Sequence, residues 1–147
     1  MRFTTEIAAP VETCFDLSRS IDLHLESMLA SRERAVGGVT SGLIGAGQEV
    51  SWEAHHLGVR WRMTSRITEF EPPHRFVDEM VRGPFAAFRH EHRFAAAGEG
   101  SGTVMTDVVD VRMGWGPLGP LADVFAAAYL RRLLRIRNAA IKARAER

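Results

Sequence analysis

QEVSWEAHHLGVRWRMTSRIT, residues 48–68, alternates on either side of a break in its middle. Before the break, Gln48, Val50, Trp52, Ala54 and His56 take every second position, and Glu49, Ser51, Glu53 and His55 fall between them. After Leu57-Gly58 the period resumes. Val59, Trp61, Met63, Ser65 and Ile67 share one side, and Arg60, Arg62, Thr64, Arg66 and Thr68 the other. Successive side chains of a strand point to opposite faces, so a period of two marks half-buried strands. Two residues suffice for a hairpin turn, so these strands pair antiparallel. Glu49, Glu53, Arg60, Arg62 and Arg66 then share an outer face, where opposite charges pair across strands at about 0.2–1 kcal/mol each.

The alternation continues toward the C-terminus. Pro72-Pro73 ends the fourth strand; Phe76, Asp78, Met80 and Arg82 form one face of the fifth, and Gly83-Pro84 turns the chain. Phe88, His90, His92 and Phe94 share a face of the sixth strand, with Arg89, Glu91 and Arg93 suited to solvent opposite. A Gly98–Gly102 loop leads to the last strand, where Thr103, Met105, Asp107, Val109, Val111 and Met113 share a face. Gly114, Gly116, Pro117, Gly119 and Pro120 make a hinge, and a helix runs from there to the end. Its expected inward stripe is Leu121, Phe125, Ala128, Leu133, Ile136 and Ala140.

Toward the N-terminus, Phe3, Thr5 and Ile7 belong to a short first strand. Pro10 opens a helix over Val11–Ser18, a second short helix covers Asp22–Leu29, and a weak strand lies near Glu33–Val39. The scattered glycines from Gly37 to Gly47 lack the lysine and hydroxyl residue of a phosphate loop and mark turns. Sequential strands joined by short turns pair with their neighbours, and a seven-stranded sheet that is apolar on one face needs a cover. The fold class is therefore α+β, an antiparallel sheet wrapped around the long C-terminal helix, in one domain over 1–147.

Composition narrows the function. The chain has 147 residues, 46% hydrophobic and 25% charged, with a formal net charge of +1. No global field draws it to nucleic acid, and no DNA partner is expected. The basic excess from Arg131 to Arg147 complements a helix C-terminus, or else docks a macromolecular partner. Cys14 is the only cysteine, so no intrachain disulfide forms. No run of about 18 apolar residues and no secretory leader are visible, so a soluble cytoplasmic protein is expected, monomer or homodimer.

The order strand, two short helices, six strands, long helix resembles the Bet v 1-like, START-type superfamily (SRPBCC) of helix-grip proteins. Ile7-Ala8-Ala9-Pro10-Val11-Glu12-Thr13-Cys14-Phe15-Asp16 is similar to that family's opening, and Ile67-Thr68-Glu69-Phe70-Glu71-Pro72-Pro73-His74-Arg75-Phe76 to its strand–proline–strand turn. Gly83-Pro84-Phe85 with His90-Glu91-His92-Arg93-Phe94 resembles the bacterial polyketide cyclase/dehydrase-like branch. Trp115-Gly116-Pro117-Leu118-Gly119-Pro120-Leu121 resembles the hinge into the last helix. The resemblance implies a small hydrophobic ligand (polyketide-, aromatic- or lipid-like) between sheet and helix, with cyclase/dehydrase-type chemistry as one possible use. The other is a non-enzymatic, chaperone-like interaction role for the basic helix.

Polar residues that break the apolar face are the candidates for chemistry. His90, His92, Asp107 and Asp78 share the inward parity, and a histidine oriented by a carboxylate can act as general acid or base. Pairing Phe76 with Phe94, and Phe94 with Thr103, sets Asp78 opposite His92 and His90 opposite Asp107. Trp52, Trp61, Met63, Met80, Arg82, Phe88, Met105 and Phe125 are the expected ligand-binding residues. His90-x-His92 is a spacing many metal sites use, with the third ligand open among Asp78, Asp107 and His56. Neither metal nor cofactor is expected.

Overall fold

The computed structural model describes residues 1–147. Seven strands form one antiparallel sheet: β1 (Arg2–Ile7), β2 (Arg34–Gly38), β3 (Glu49–His56), β4 (Val59–Glu71), β5 (Arg75–Arg82), β6 (Ala87–Ala96) and β7 (Thr103–Arg112). The spatial order is β1-β7-β6-β5-β4-β3-β2, so every neighbour except β1 is also a neighbour in sequence. Helices α1 (Val11–Ser18) and α2 (Ile21–Ser27) fill the crossover between β1 and β2, with Ser20 capping α2 through the Leu23 amide. A single 3-10 turn, Gly116–Leu118, leads into α3 (Gly119–Ala145). The hinge needs glycine at one point above all. Gly114 has φ +73°, and a Cβ there would lie 2.7 Å from the Ala86 Cβ.

One end of the cradle is solid core. Phe15 from α1 meets Phe70, Phe76 and Phe94, with each ring centroid 5.5 Å away. Ile7, Ile21, Val50, Ile67, Met105 and Ile141 belong to the same cluster. A smaller one joins Phe88, Val109 and Leu134. The outer face carries ions. Glu49 pairs with Arg66, and Glu53 lies near Arg34 and Arg60. Glu91, expected in solvent, is buried beneath Arg75, Arg89 and Arg93. Hydrogen bonds from Arg93 and Arg75 hold its carboxyl down at about 2.

Two bulges between β4 and β5 correct the simple alternation. Between β4 and β5 the partners run Thr64↔Arg82, then Ser65↔Met80, so Val81 is an extra residue on β5. Arg82 thereby joins Thr64 on the outer face, where Thr64 Oγ1 meets Ser51 Oγ at 2.8 Å. The second bulge, between Ile67 and Glu69, turns Phe70 inward. The α3 stripe is also corrected. Leu121 and Phe125 are 60% and 70% exposed, Ile136 is exposed as well, and the buried positions are Leu134, Arg137, Asn138 and Ile141. The C-terminal half of α3 presses on β1, β7, α1 and α2, while its first half stands over open space.

Candidate functional site

That space is a cavity of about 720 Å3 between the concave sheet face and α3. Val50, Trp52, Ala54 and His56 of β3 and Trp61, Met63, Ser65 and Ile67 of β4 supply one wall, which is the alternation of the opening stretch turned inward. From α3 come Ala122, Phe125, Ala126, Tyr129, Leu133 and Arg137. Leu57 at the hairpin tip and Phe125 are both exposed and lie at the mouth.

Of the residues expected to meet a ligand, Trp52, Trp61, Met63, Phe88 and Phe125 line this cavity, and so do His90, His92 and Asp78. Asp107 sits behind the two histidines with no exposure. Three expectations are corrected. Met105 faces inward but is sealed under α1, with Ser18 Oγ 3.4 Å from its sulfur. Met80 lies outside the cavity lining and packs with the Phe88 cluster, near Gly83. Arg82 is turned away by the bulge at Val81.

The polar cluster on β5, β6 and β7 is built from diagonal contacts. The register differs by two residues from that expected: Phe76 opposes His92, Asp78 opposes His90, and Phe94 opposes Met105. A slip of two preserves the face, and diagonal neighbours remain within reach of long side chains. Thus His92 Nε2 lies 2.7 Å from Asp78 Oδ2, and His90 Nε2 lies 2.6 Å from Asp107 Oδ1. The two imidazoles stack at 3.7 Å, and Phe76 covers the other face of His92 at 4.1 Å.

Asp107 also accepts from Asn138 Nδ2 at 2.6 Å and lies 3.8 Å from the Arg137 guanidinium. Arg137 in turn donates to the Ser18 carbonyl at 2.9 Å. Burial alone would raise both carboxyls. The His90 hydrogen bond and the His90, His92 and Arg137 charges outweigh it at Asp107, and those of His92 and His90 do so at Asp78, so both are held below the ordinary carboxylate range. Burial, reinforced by the neighbouring His90 charge, pushes His92 down to about 4. His92 Nδ1 and Ser65 Oγ are buried without a hydrogen-bond partner.

Several contacts around the cavity escape a reading of the sequence. Arg137 and Asn138 look like solvent-facing helix residues there; their spacing from Leu130, Leu134 and Ile141 is the available signal. His24 on α2 bonds Glu33 at 2.6 Å and packs at a tilt against Trp52, ring centroids 4.4 Å apart. His56 meets the Tyr129 hydroxyl at 3.0 Å, a bridge between hairpin and helix. Only tertiary placement reveals these pairs.

The family described as polyketide cyclase / dehydrase and lipid transport matches residues 1–146. The chain belongs to that family. Its helix-grip fold, with seven antiparallel strands and a long C-terminal helix, is that of known structures. The TTHA0849 structure from Thermus thermophilus is 17% identical with a TM-score of 0.78, over 99% of this chain and 95% of that one. A START superfamily protein from Mycobacterium smegmatis is 15% identical with a TM-score of 0.73, over 99% and 96%. The Zhui aromatase/cyclase from Streptomyces sp. R1128 is 16% identical with a TM-score of 0.73, over 100% and 93%. At such identities the likeness concerns the fold. No curated protein sequence matches the chain. No helix is long and apolar enough to cross a membrane.

Proposed function

We propose that this member of the polyketide cyclase/dehydrase and lipid transport family binds a small hydrophobic molecule bearing a hydroxyl or enol group, held between the sheet and α3. The observation that carries this reading is an apolar cavity of about 720 Å3 with one polar wall. Sites for drug-sized molecules run to roughly 300–1,000 Å3 and pair apolar walls with a few convergent polar groups. Asp78 stays ionised and partly open to the cavity, so it can accept a ligand O–H. Ser65, on the adjacent strand, offers a hydroxyl that lacks a partner. Trp52, Trp61 and Phe88 supply flat faces suited to an aromatic or polyketide-like skeleton.

Proton transfer is the second use of the same wall. An imidazole pushed down to about 4 is neutral at pH 7 and a weak base, so the geometry favours orienting a ligand over abstracting its proton. Titration with a fluorescent naphthalene probe, competed by hydroxylated aromatics, tests the proposal. Saturable 1:1 binding is expected, with competitors losing affinity in Asp78→Asn and the probe unaffected. Absence of saturable binding, together with no compound co-purifying in native mass spectrometry, would sink it.

Docking through α3 has one observation of its own. Leu121, Val124 and Phe125 are exposed, as are Arg131, Arg132 and Arg135 further along the helix. The basic end is nevertheless not one free patch. Arg137 is buried, Arg144 pairs with Glu26, and Lys142 with Glu146. Sedimentation of the wild type against Phe125→Ser tests whether the apolar part of this surface is used between copies. Identical, concentration-independent monomers in both would remove that use.

A further inference from the structure

We propose that Asp78, His90 and His92 form a binding site for a divalent transition-metal ion of the zinc class, with its open coordination position facing the cavity. The sequence left the third partner of the His90-x-His92 pair undecided among three residues. The structure selects Asp78. One ligand atom from each of the three side chains lies within 4.8 Å of the others. His92 Nε2 is 2.7 Å and His90 Nδ1 is 4.0 Å from Asp78 Oδ2. Metal–ligand bonds of about 2.0–2.1 Å in tetrahedral arrangement need ligand atoms about 3.3 Å apart. The two carboxylate–imidazole distances bracket that spacing, and the imidazoles, stacked at 3.7 Å, must part for both lone pairs to reach one ion.

The proton arrangement argues for a cation at this point. His90 Nε2–H donates to Asp107, so in the neutral imidazole Nδ1 is a bare lone pair on the side of Asp78. If His92 donates through Nε2 to Asp78, its buried Nδ1 is a bare lone pair without any donor. Moving that proton to Nδ1 directs it at Asp107 Oδ1, 3.5 Å away. The Nε2 lone pair then faces the Asp78 carboxylate, and two lone pairs and an anion converge. A metal ion between them satisfies all three.

The surroundings fit the same role. Metal-binding histidines commonly give their other ring nitrogen to a carboxylate that fixes tautomer and orientation. Asp107 does this for His90, and it is itself held by Asn138 and faces Arg137. The Arg137 charge offsets Asp107, so Asp78 alone sets the charge of the ligand set. Two neutral imidazoles and one carboxylate leave a doubly charged ion one unit positive, which suits a hydroxide or a ligand enolate at the open position. Such an ion would act as a Lewis acid toward a ligand oxygen in the cavity.

The test is a cobalt titration of chelator-treated protein. Expected are visible d–d bands of low-coordinate Co2+ saturating at one ion per chain, lost on adding Zn2+. Asp78→Asn and His90→Ala should abolish the bands. Asp107→Asn, which touches no metal, should weaken binding about 10–100-fold. His24→Ala and His56→Ala should leave it unchanged. A spectrum that stays that of hydrated cobalt, or bands that survive both Asp78→Asn and His90→Ala, would overturn the proposal. If those variants fail to fold, nitrogen NMR of the wild type decides: Zn2+ should shift His90 Nδ1 and His92 Nε2. Shifts confined to His24, His55, His56 or His74 overturn it. Naphthalene-probe binding, followed in the same samples, reports on the cavity separately from the metal.

Discussion

Asp107 has no solvent exposure and is met by His90, Asn138, His92 and Arg137 at 2.6, 2.6, 3.5 and 3.8 Å. Removing one partner of a buried ion pair strands the other charge, which costs about 3–5 kcal/mol. Asp107→Ala should therefore lose about that much in urea unfolding. Asp107→Asn keeps the shape and one acceptor and should lose about 1–3 kcal/mol. A loss under 1 kcal/mol in both would mean that the charge of Arg137 is compensated elsewhere. His92 gives a pH signature. Its folded value, about 4, lies below the unfolded value of about 6.5, so between these the unfolded chain binds the extra proton. Stability must then fall as pH drops from 6.5 to 4, by up to about 1.4 kcal/mol per pH unit. His56, also lowered by burial, acts in the same direction. Unfolding free energies at pH 7, 6, 5 and 4 should fall less steeply for His92→Gln than for wild type. Equal slopes would exclude a buried neutral His92. Asp78, His90, His92 and Asp107 were legible as inward-facing because parity survives a slip of two residues. The lowered value of His92 was not, because it depends on Phe76 and on the stacked His90 ring.

At the scale of elements, the strands were readable and the helix phase was not. β3 and β4 carry unbroken alternation across a two-residue turn, and their pairing leaves few choices. The bulges at Val81 and Thr68 each add one residue to one strand, and no residue type at either point announces it. Arg82 left its expected face, and Phe70 turned inward, for that reason alone. Along α3 two apolar stripes compete. Leu121, Phe125 and Ala128 run into exposed Arg131 and Arg132, whereas Leu130, Leu134 and Ile141 run through Arg137 and Asn138. Polar residues in the middle of the true stripe hid it, since a charged residue is rarely fully buried unless paired. The phase can be tested directly. Leu134 is 8% exposed against Phe88 and Val109, so Leu134→Ala should cost about 2–5 kcal/mol. Leu121→Ala, at an exposed position, should stay within about 0.5 kcal/mol of wild type. Similar losses at both positions would mean that α3 is rotated.

For the whole molecule, α3 divides the interior in two. Its C-terminal half closes the core through Leu134 and Ile141, and a chain ended at Ile136 would lose Arg137, Asn138 and Ile141 together. Cooperative unfolding should vanish from the circular dichroism melt of such a chain. The N-terminal half instead roofs an apolar cavity, and there the usual penalty for adding bulk should not apply. Overpacking is destabilising where side chains already fill the space. Ala126 projects into the cavity, so an indole at that position gains contacts in place of a void. Ala126→Trp should hold or raise Tm while weakening the naphthalene probe at least tenfold, because the added ring occupies the ligand's volume. Leu121→Ser, on the outer surface, should alter neither property. A fall in Tm for Ala126→Trp would show that the first half of α3 packs closely on the sheet. Probe binding that persists in Ala126→Trp but drops in Leu121→Ser would move the hydrophobic site from the cavity to the exposed helix face, and the case for an enclosed ligand would fall with it.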